Sequence, residues 1–355
     1  MKRYWFSLFT FTCVTFVWAQ TPTEFKGHDN TVQSVAFSSD GKTLATASFD
    51  NTVKLWDFAT GKETQVLKGH TAPVDCVAFN NDGSLVATGS NDKTIRLWNP
   101  KDAKLVKELK GHTDTVLAIA FSPDGGLLAS GGADKSIKLW DVKDAKELKT
   151  LGAFKDGSVY SVAFNKDGTE LATCGYDGVI KIWDVKGQKE IKSMMVELPK
   201  LEVKVEPKKE ETKDVKDKKD AKKMMAKKEE PKELRDAFHV VAFSPDGKQV
   251  LSGGADKFLR YWNVADGKET KKLGPTPDYI FGMTISKDGK LVATAGYGGS
   301  LRVYDLASGK EIAKLDRKQW MTYGAAFTPD GKAVVTCGED IGVGKGAVHV
   351  RPIGK

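Results

Sequence analysis

Cysteine and histidine are scarce. Four cysteines and five histidines are scattered over 355 residues, and no two cysteines form a CxxC pair. With Cys13 set apart in the N-terminal segment, Cys76, Cys174 and Cys337 make an odd set, whereas a disulfide framework shows an even count at regular spacing. Three small buried thiols are expected instead. GxSxG, HExxH, P-loop and CxxCH motifs are all lacking, so no particular reaction, metal or cofactor is indicated, and the chain is read as non-enzymatic. No apolar run reaches the roughly 20 residues that a membrane span needs. The longest, Tyr4 to Trp18, follows Lys2 and Arg3 and precedes Val17-Trp18-Ala19 and Gln20. That order is the order of an export signal, with cleavage expected after Ala19. Residues 1–19 are therefore assigned to a signal peptide, and a periplasmic or extracellular protein without stable membrane insertion is expected. The sequence also contains no Asn-x-Ser/Thr sequon, which favours bacterial export over a eukaryotic secretory route.

A surplus of one charge sign is lacking too, once the net +8 is located. Lys2 and Arg3 supply two of these charges. The stretch from Lys200 to Glu233 holds 13 Lys against 10 acids, and nearly 300 remaining residues share about +3. This is an ordinary surface and not the basic stripe of a nucleic-acid protein.

What the sequence has in abundance is self-similarity, the first thing to look for in a chain of this length. Segments such as AFSSDGKTLATASFDNTVKLWD at Ala36, AFNNDGSLVATGSNDKTIRLWN at Ala78 and AFSPDGGLLASGGADKSIKLWD at Ala120 recur through the chain. The Asp-Gly marker returns at Gly41, Gly83, Gly125, Gly168, Gly247, Gly289 and Gly331, at spacings of 42, 42, 43, 79, 42 and 42. Asp-Gly between apolar runs is a hairpin signal, because Gly accepts the positive φ of a tight turn. Val53-Lys54-Leu55-Trp56 alternates as a half-buried strand does. Four short strands per 42 residues make a propeller blade.

These units resemble WD40 repeats: Gly-His, then the Asp-Gly hairpin, then Asp, then Trp-Asp closing the third strand. The resemblance runs over residues 22–355 and implies an all-β, seven-bladed β-propeller of four-stranded antiparallel blades, expected to be monomeric. It further implies that the N-terminus closes the ring, with Thr23 to Lys26 lying beside Ala347 to Val350 as the last blade's fourth strand. It implies a structural hydrogen-bond network of His28, Thr46, Asp50 and Trp56 in blade 1, of His70, Thr88, Asp92 and Trp98 in blade 2, and of His112, Ser130, Asp134 and Trp140 in blade 3. A His with an Asp and a hydroxyl suggests a catalytic triad on paper. Threefold repetition argues for structure, and no cleft is expected beside these groups. Blades 4 and 5 lack Gly-His, blade 6 has Gly298 and Tyr304 where Asp and Trp belong, and blade 7 keeps Asp340 but no Trp-Asp follows.

The resemblance also places the loops between fourth and first strands, and those between second and third strands, on one binding face. Two positions per blade point there: Phe49, Asn91, Ala133, Tyr176, Ala255, Tyr297 and Glu339 just before the turn Asp, and Gln33, Asp75, Leu117, Tyr160, His239, Phe281 and Tyr323 early in the first strand. Blades 4 to 7 thus gather Tyr160, Tyr176, His239, Phe281, Tyr297 and Tyr323, residue types favoured at interaction hot spots. The other reading of this group is that it fills space left by missing network residues. The charged excess at 197–233 replaces the loop between blades 4 and 5 on the same face. It has no apolar stripe and cannot bury enough area to fold alone, so a disordered or partly helical insertion is expected, and a tether over a bound partner is the alternative. The function expected is a scaffold for a protein or peptide partner. A channel-type ligand binder or enzyme, or nucleic-acid binding through the Lys-rich loop, are the alternatives.

Overall fold

The structure, a computed structural model, describes residues 22–196, 237–317, 320–341 and 344–354. The segments assigned to the signal (1–19) and the charged insertion (197–233) lie outside the described residues. Seven four-stranded antiparallel sheets form a ring, and the described residues contain no helix. Blade 1 runs Val32–Phe37, Thr43–Ser48, Thr52–Asp57 and Glu63–Lys68. Blades 2 to 6 repeat this order from Val74, Val116, Val159, Phe238 and Ile280. Blade 7 takes three strands from the C-terminal region, Trp320–Phe327, Ala333–Asp340 and Lys345–Pro352. Its fourth is Glu24–Lys26, paired Glu24 to His349, Phe25 to Val348 and Lys26 to Ala347. Closure covers part of the Lys345–Pro352 edge and leaves the three-residue Glu24–Lys26 strand as a short outer edge, which limits templated aggregation.

Each Asp-Gly hairpin is held by its own side chains. In blade 1 the Ser38 hydroxyl donates to Asp40 (2.7 Å), and the Lys42 amide donates to the same carboxylate oxygen (3.0 Å). Gly41 sits at φ +70°, where a Cβ would be strained. The core lies between blades. Ala45, Val53, Leu55 and Leu67 of blade 1 pack against Val74, Val86 and Trp98 of blade 2. At the seam, Phe25, Val335, Cys337 and Val348 of blade 7 pack against Val32, Leu44 and Trp56 of blade 1. Cys76, Cys174 and Cys337 are free and buried.

Candidate functional site

The His-Asp pairs come first, because they would be the catalytic groups if there were any. His28 Nδ1–H donates to Asp50 (2.7 Å), the Thr46 hydroxyl donates to His28 Nε2 (2.7 Å), and the Trp56 indole N–H donates to Thr46 (2.9 Å). Blade 2 repeats the chain with His70, Asp92, Thr88 and Trp98, and blade 3 with His112, Asp134, Ser130 and Trp140. The tautomer follows from the network: one ring nitrogen must give to the carboxylate while the other accepts the hydroxyl proton. Burial pushes His70 and His112 below the ordinary imidazole range, keeping them neutral. Burial alone would raise Asp50 and Asp92, but hydrogen bonds from His28, Thr52, Thr94 and His70 hold both at about 2. One expectation is corrected here. A cavity of about 330 Å³ lined by Gly27, His28, Asp29 and Lys345 opens at the seam, so a cleft does adjoin blade 1. Asp340 and Lys345 of blade 7 line its other side. The hydroxyl of Thr46 stays fully buried behind His28 and receives the indole N–H, so it cannot reach a carbonyl in that cleft.

In blades 4 to 7 other groups occupy the network's place. Trp183 and Trp262 keep their bonds to Thr173 (2.9 Å) and Ser252 (2.8 Å). In blade 5 the donor to Asp256 is Arg260 Nε at 2.6 Å, and its guanidinium also pairs with Glu269. In blade 6 Arg302 pairs with Asp316 and the Thr294 hydroxyl has no hydrogen-bond partner among the described residues. In blade 7 Arg351 stands opposite Val334, the register that Trp56 holds opposite Leu44. Trp320 packs edge-on against His349 with ring centroids 4.5 Å apart. Sequence reasoning missed Arg260 and Arg351. The signal for Arg351 was a basic residue at the place of the blade 1 Trp, whereas Arg260 stands where blades 1 to 3 carry Lys54, Arg96 and Lys138, so only the missing Gly-His marked blade 5 as different.

The binding-face positions have a geometry of their own. Every first strand carries a β-bulge near its start: register shifts occur between Val32 and Ser34, Val74 and Cys76, Val116 and Ala118, Val159 and Ser161, Phe238 and Val240, Ile280 and Gly282, and Thr322 and Gly324. The extra residue in each is Gln33, Asp75, Leu117, Tyr160, His239, Phe281 or Tyr323. A bulged residue is left out of the ladder, and its side chain is re-aimed. The result is visible from blade to blade. Tyr160 lies 5.2 Å from His239, His239 stacks on Phe281 at 4.3 Å, and Phe281 meets Tyr323 at 6.3 Å between ring centroids. These contacts cross three blade boundaries along the innermost strands, so the rings form one arc around the axis.

Tyr297, just before the next turn, joins the arc at 5.4 Å from Phe281 and 6.1 Å from Tyr323. Its amide donates to the Tyr279 carbonyl, as the Tyr176 amide does to Ser158, and these bonds tie each second-to-third-strand turn to the loop entering the first strand. Tyr176 makes no ring contact of this kind; it packs over Gly157 and remains 56% exposed. The arc's bulged side chains leave the ladder, while Arg260, Arg351 and Trp320 occupy the blade interiors. Burial keeps His239 neutral and raises the Tyr323 hydroxyl to about 12.

Across the ring, the same bulge position in blade 2 holds Asp75. Its Oδ2 is buried and has no hydrogen-bond partner among the described residues. Burial raises its carboxyl to about 7.

The family described as "WD domain, G-beta repeat" matches residues 19–57, 61–99, 103–141, 145–184, 236–263 and 267–305. Among curated proteins, "Small ribosomal subunit protein RACK1" of Candida albicans is 51% identical over 41 residues, 12% of this chain and 13% of that protein. "Ribosome assembly protein 4" of Saccharomyces cerevisiae is 56% identical over 36 residues, 10% of this chain and 7% of its own. "Probable E3 ubiquitin ligase complex SCF subunit sconB" of Arthroderma benhamiae is 49% identical over 47 residues, 13% of this chain and 7% of its own. The chain thus spans 13% or less of the length of these relatives, about one repeat of each.

Proposed function

The chain belongs to the WD40 repeat family, and from that membership we propose that it is a non-catalytic scaffold binding a protein or peptide partner through Tyr160, Tyr176, His239, Phe281, Tyr297 and Tyr323. The observation that carries the reading is the arc itself: partly exposed aromatic rings in contact across four consecutive blades, most of them presented by bulges that serve no pairing role. Three of the relatives' names speak of a ribosomal subunit, ribosome assembly and a ubiquitin ligase complex, which supports an interaction role without naming this chain's partner. The test is Tyr176→Ala combined with Tyr297→Ala, compared with the unmutated chain in capture of binding partners from its native compartment. Capture should fall at least tenfold while the urea midpoint moves little. Unchanged capture by a folded double variant overturns this face.

Export through residues 1–19 belongs to the same proposal and rests on Lys2, Arg3, the apolar run and the small residue at Ala19. The relatives named are fungal and lend no support to a bacterial source. Intact-mass measurement of the purified native protein should give a chain starting at Gln20, and a chain retaining Met1 refutes export.

A further inference from the structure

The two rings of positions on the proposed face contain no lysine or arginine at any of their places, although the chain holds 55 basic residues against 47 acidic ones. They do contain two carboxylates, Asp75 and Glu339. Glu339 is engaged, since the Thr31 hydroxyl donates to it at 2.8 Å. Asp75 differs: it is the bulged residue of blade 2, between Gln33 and Leu117 at the corresponding places of blades 1 and 3, and its inner oxygen receives no donor among the described residues. His239, which could have supplied a positive charge to the ring, is kept neutral by burial. A desolvated carboxylate without a donor is costly for the free protein, and the cost is removed by a cation that brings its own donors.

We infer that the partner enters the mouth of the channel with a lysine or arginine side chain directed at Asp75, while its neighbouring apolar residues lie on the aromatic arc. The distribution of charge over these positions selects this occupant. The ring presents two carboxyl groups, π-faces and no basic side chain; a cation beside Asp75 displaces its proton and pairs with the carboxylate, whereas an acidic segment would meet only Asp75 and Glu339. This deepens the scaffold reading and rests on it. Nothing in the ring favours nucleic acid, which needs positive charge along its backbone track.

A random dodecapeptide display library selected against the full chain tests it. Peptides that bind the unmutated chain and fail to bind Phe281→Ala should be enriched in Lys or Arg at one position. The best of them, resynthesised with that residue replaced by Gln, should bind the unmutated chain at least tenfold more weakly. Against Asp75→Asn, which keeps the side-chain shape, the same replacement should change affinity less than twofold, and Asp75→Leu, the residue type of blade 3, should behave likewise. Arc-dependent peptides without a basic position, or an equal loss on both proteins, overturn the cation proposal and leave the face intact. Selected peptides indifferent to Phe281→Ala overturn the face itself.

Discussion

Asp75 makes a prediction about the free protein that needs no partner. Its carboxyl titrates at about 7 in the folded chain because burial disfavours the charged form, against about 3.9 when the chain is unfolded. Below pH 4 both states are protonated and the group has no effect. Between about pH 4 and pH 7 the unfolded chain ionises while the folded one holds its proton, so stability falls as pH rises. Above about 7 the loss is complete and constant. A gap of about 3 pH units at 1.36 kcal/mol each puts that plateau at about 4 kcal/mol. Asp75→Asn removes the titration and keeps the shape. Its unpaired amide carries a cost that does not change with pH, so the slope of the difference is informative and its offset is not. Urea denaturation of both proteins at half-unit steps from pH 4.5 to 8 should show the variant gaining on the unmutated chain by 2 kcal/mol or more across the range, other titrating groups cancelling in the difference. Parallel curves would refute the claim that Asp75 is desolvated, and with it the premise that a partner's cation is drawn there.

Other outcomes follow from single contacts. Phe25, 2% exposed, stacks on Phe58 and sits edge-on to Trp56, so Phe25→Ala should cost about 3–5 kcal/mol in urea denaturation; a loss under about 1 kcal/mol would mean that the N-terminal strand does not fasten the ring. Trp98→Phe deletes the indole bond to Thr88 together with part of a buried ring, leaving a buried hydroxyl one donor short beside a small void. A loss of about 1–3 kcal/mol is expected, and no loss would show that the bond is replaced by another. Gly157 lies at φ +82°, and a Cβ there would stand only 2.4 Å from that of Tyr176. Gly157→Ala should therefore displace Tyr176 and lower partner capture as Tyr176→Ala does, and undiminished capture would remove Tyr176 from the site.

Much of the architecture could be read because the repeat writes the same physical demand seven times. A hairpin needs Gly at positive φ, so Asp-Gly marked each blade. The His, hydroxyl, Asp and Trp of blades 1 to 3 stood at fixed separations, so one pattern located them all. The places where reading stopped have specific causes. Arg260 takes over the donor role to Asp256 from the place that Lys54, Arg96 and Lys138 hold in blades 1 to 3, so neither its type nor its spacing announced the new partner. Asp340 has the sequence register of a turn Asp but lies in a strand opposite Lys345, because the blade 7 hairpin is longer and the turn has moved away from it. The bulges leave no trace in the 42-residue period, since every blade has one. Asp75 was visible as a residue, but its desolvation arises from neighbours brought together only by the closed ring.

The bulge also explains how such a ring can vary its face without weakening its blades. A residue within the ladder must satisfy two partners: its cross-strand neighbour and the blade packed behind it. Val32, Val74 and Val116, one place before the bulge, are each completely buried, and apolar residues hold that place in six blades, with Thr322 in the seventh. The bulged residue carries neither obligation, and the same place accommodates Gln33, Asp75, Leu117, Tyr160 and His239 with the flanking pairs preserved. Stability in a repeat ring is a sum of blade and neighbour terms, and the bulged side chain adds no ladder pair to that sum. Selection on binding can act there without breaking a pairing, although a desolvated group such as Asp75 still carries its own cost. Departures from the repeat pattern concentrate in the blades that carry the arc, yet the two follow separate rules. Interior changes, such as the loss of the Gly-His donor that Arg260 replaces, must be compensated within the blade, whereas Phe281 and Tyr323 lie outside the ladder and pack on neighbouring rings of the arc.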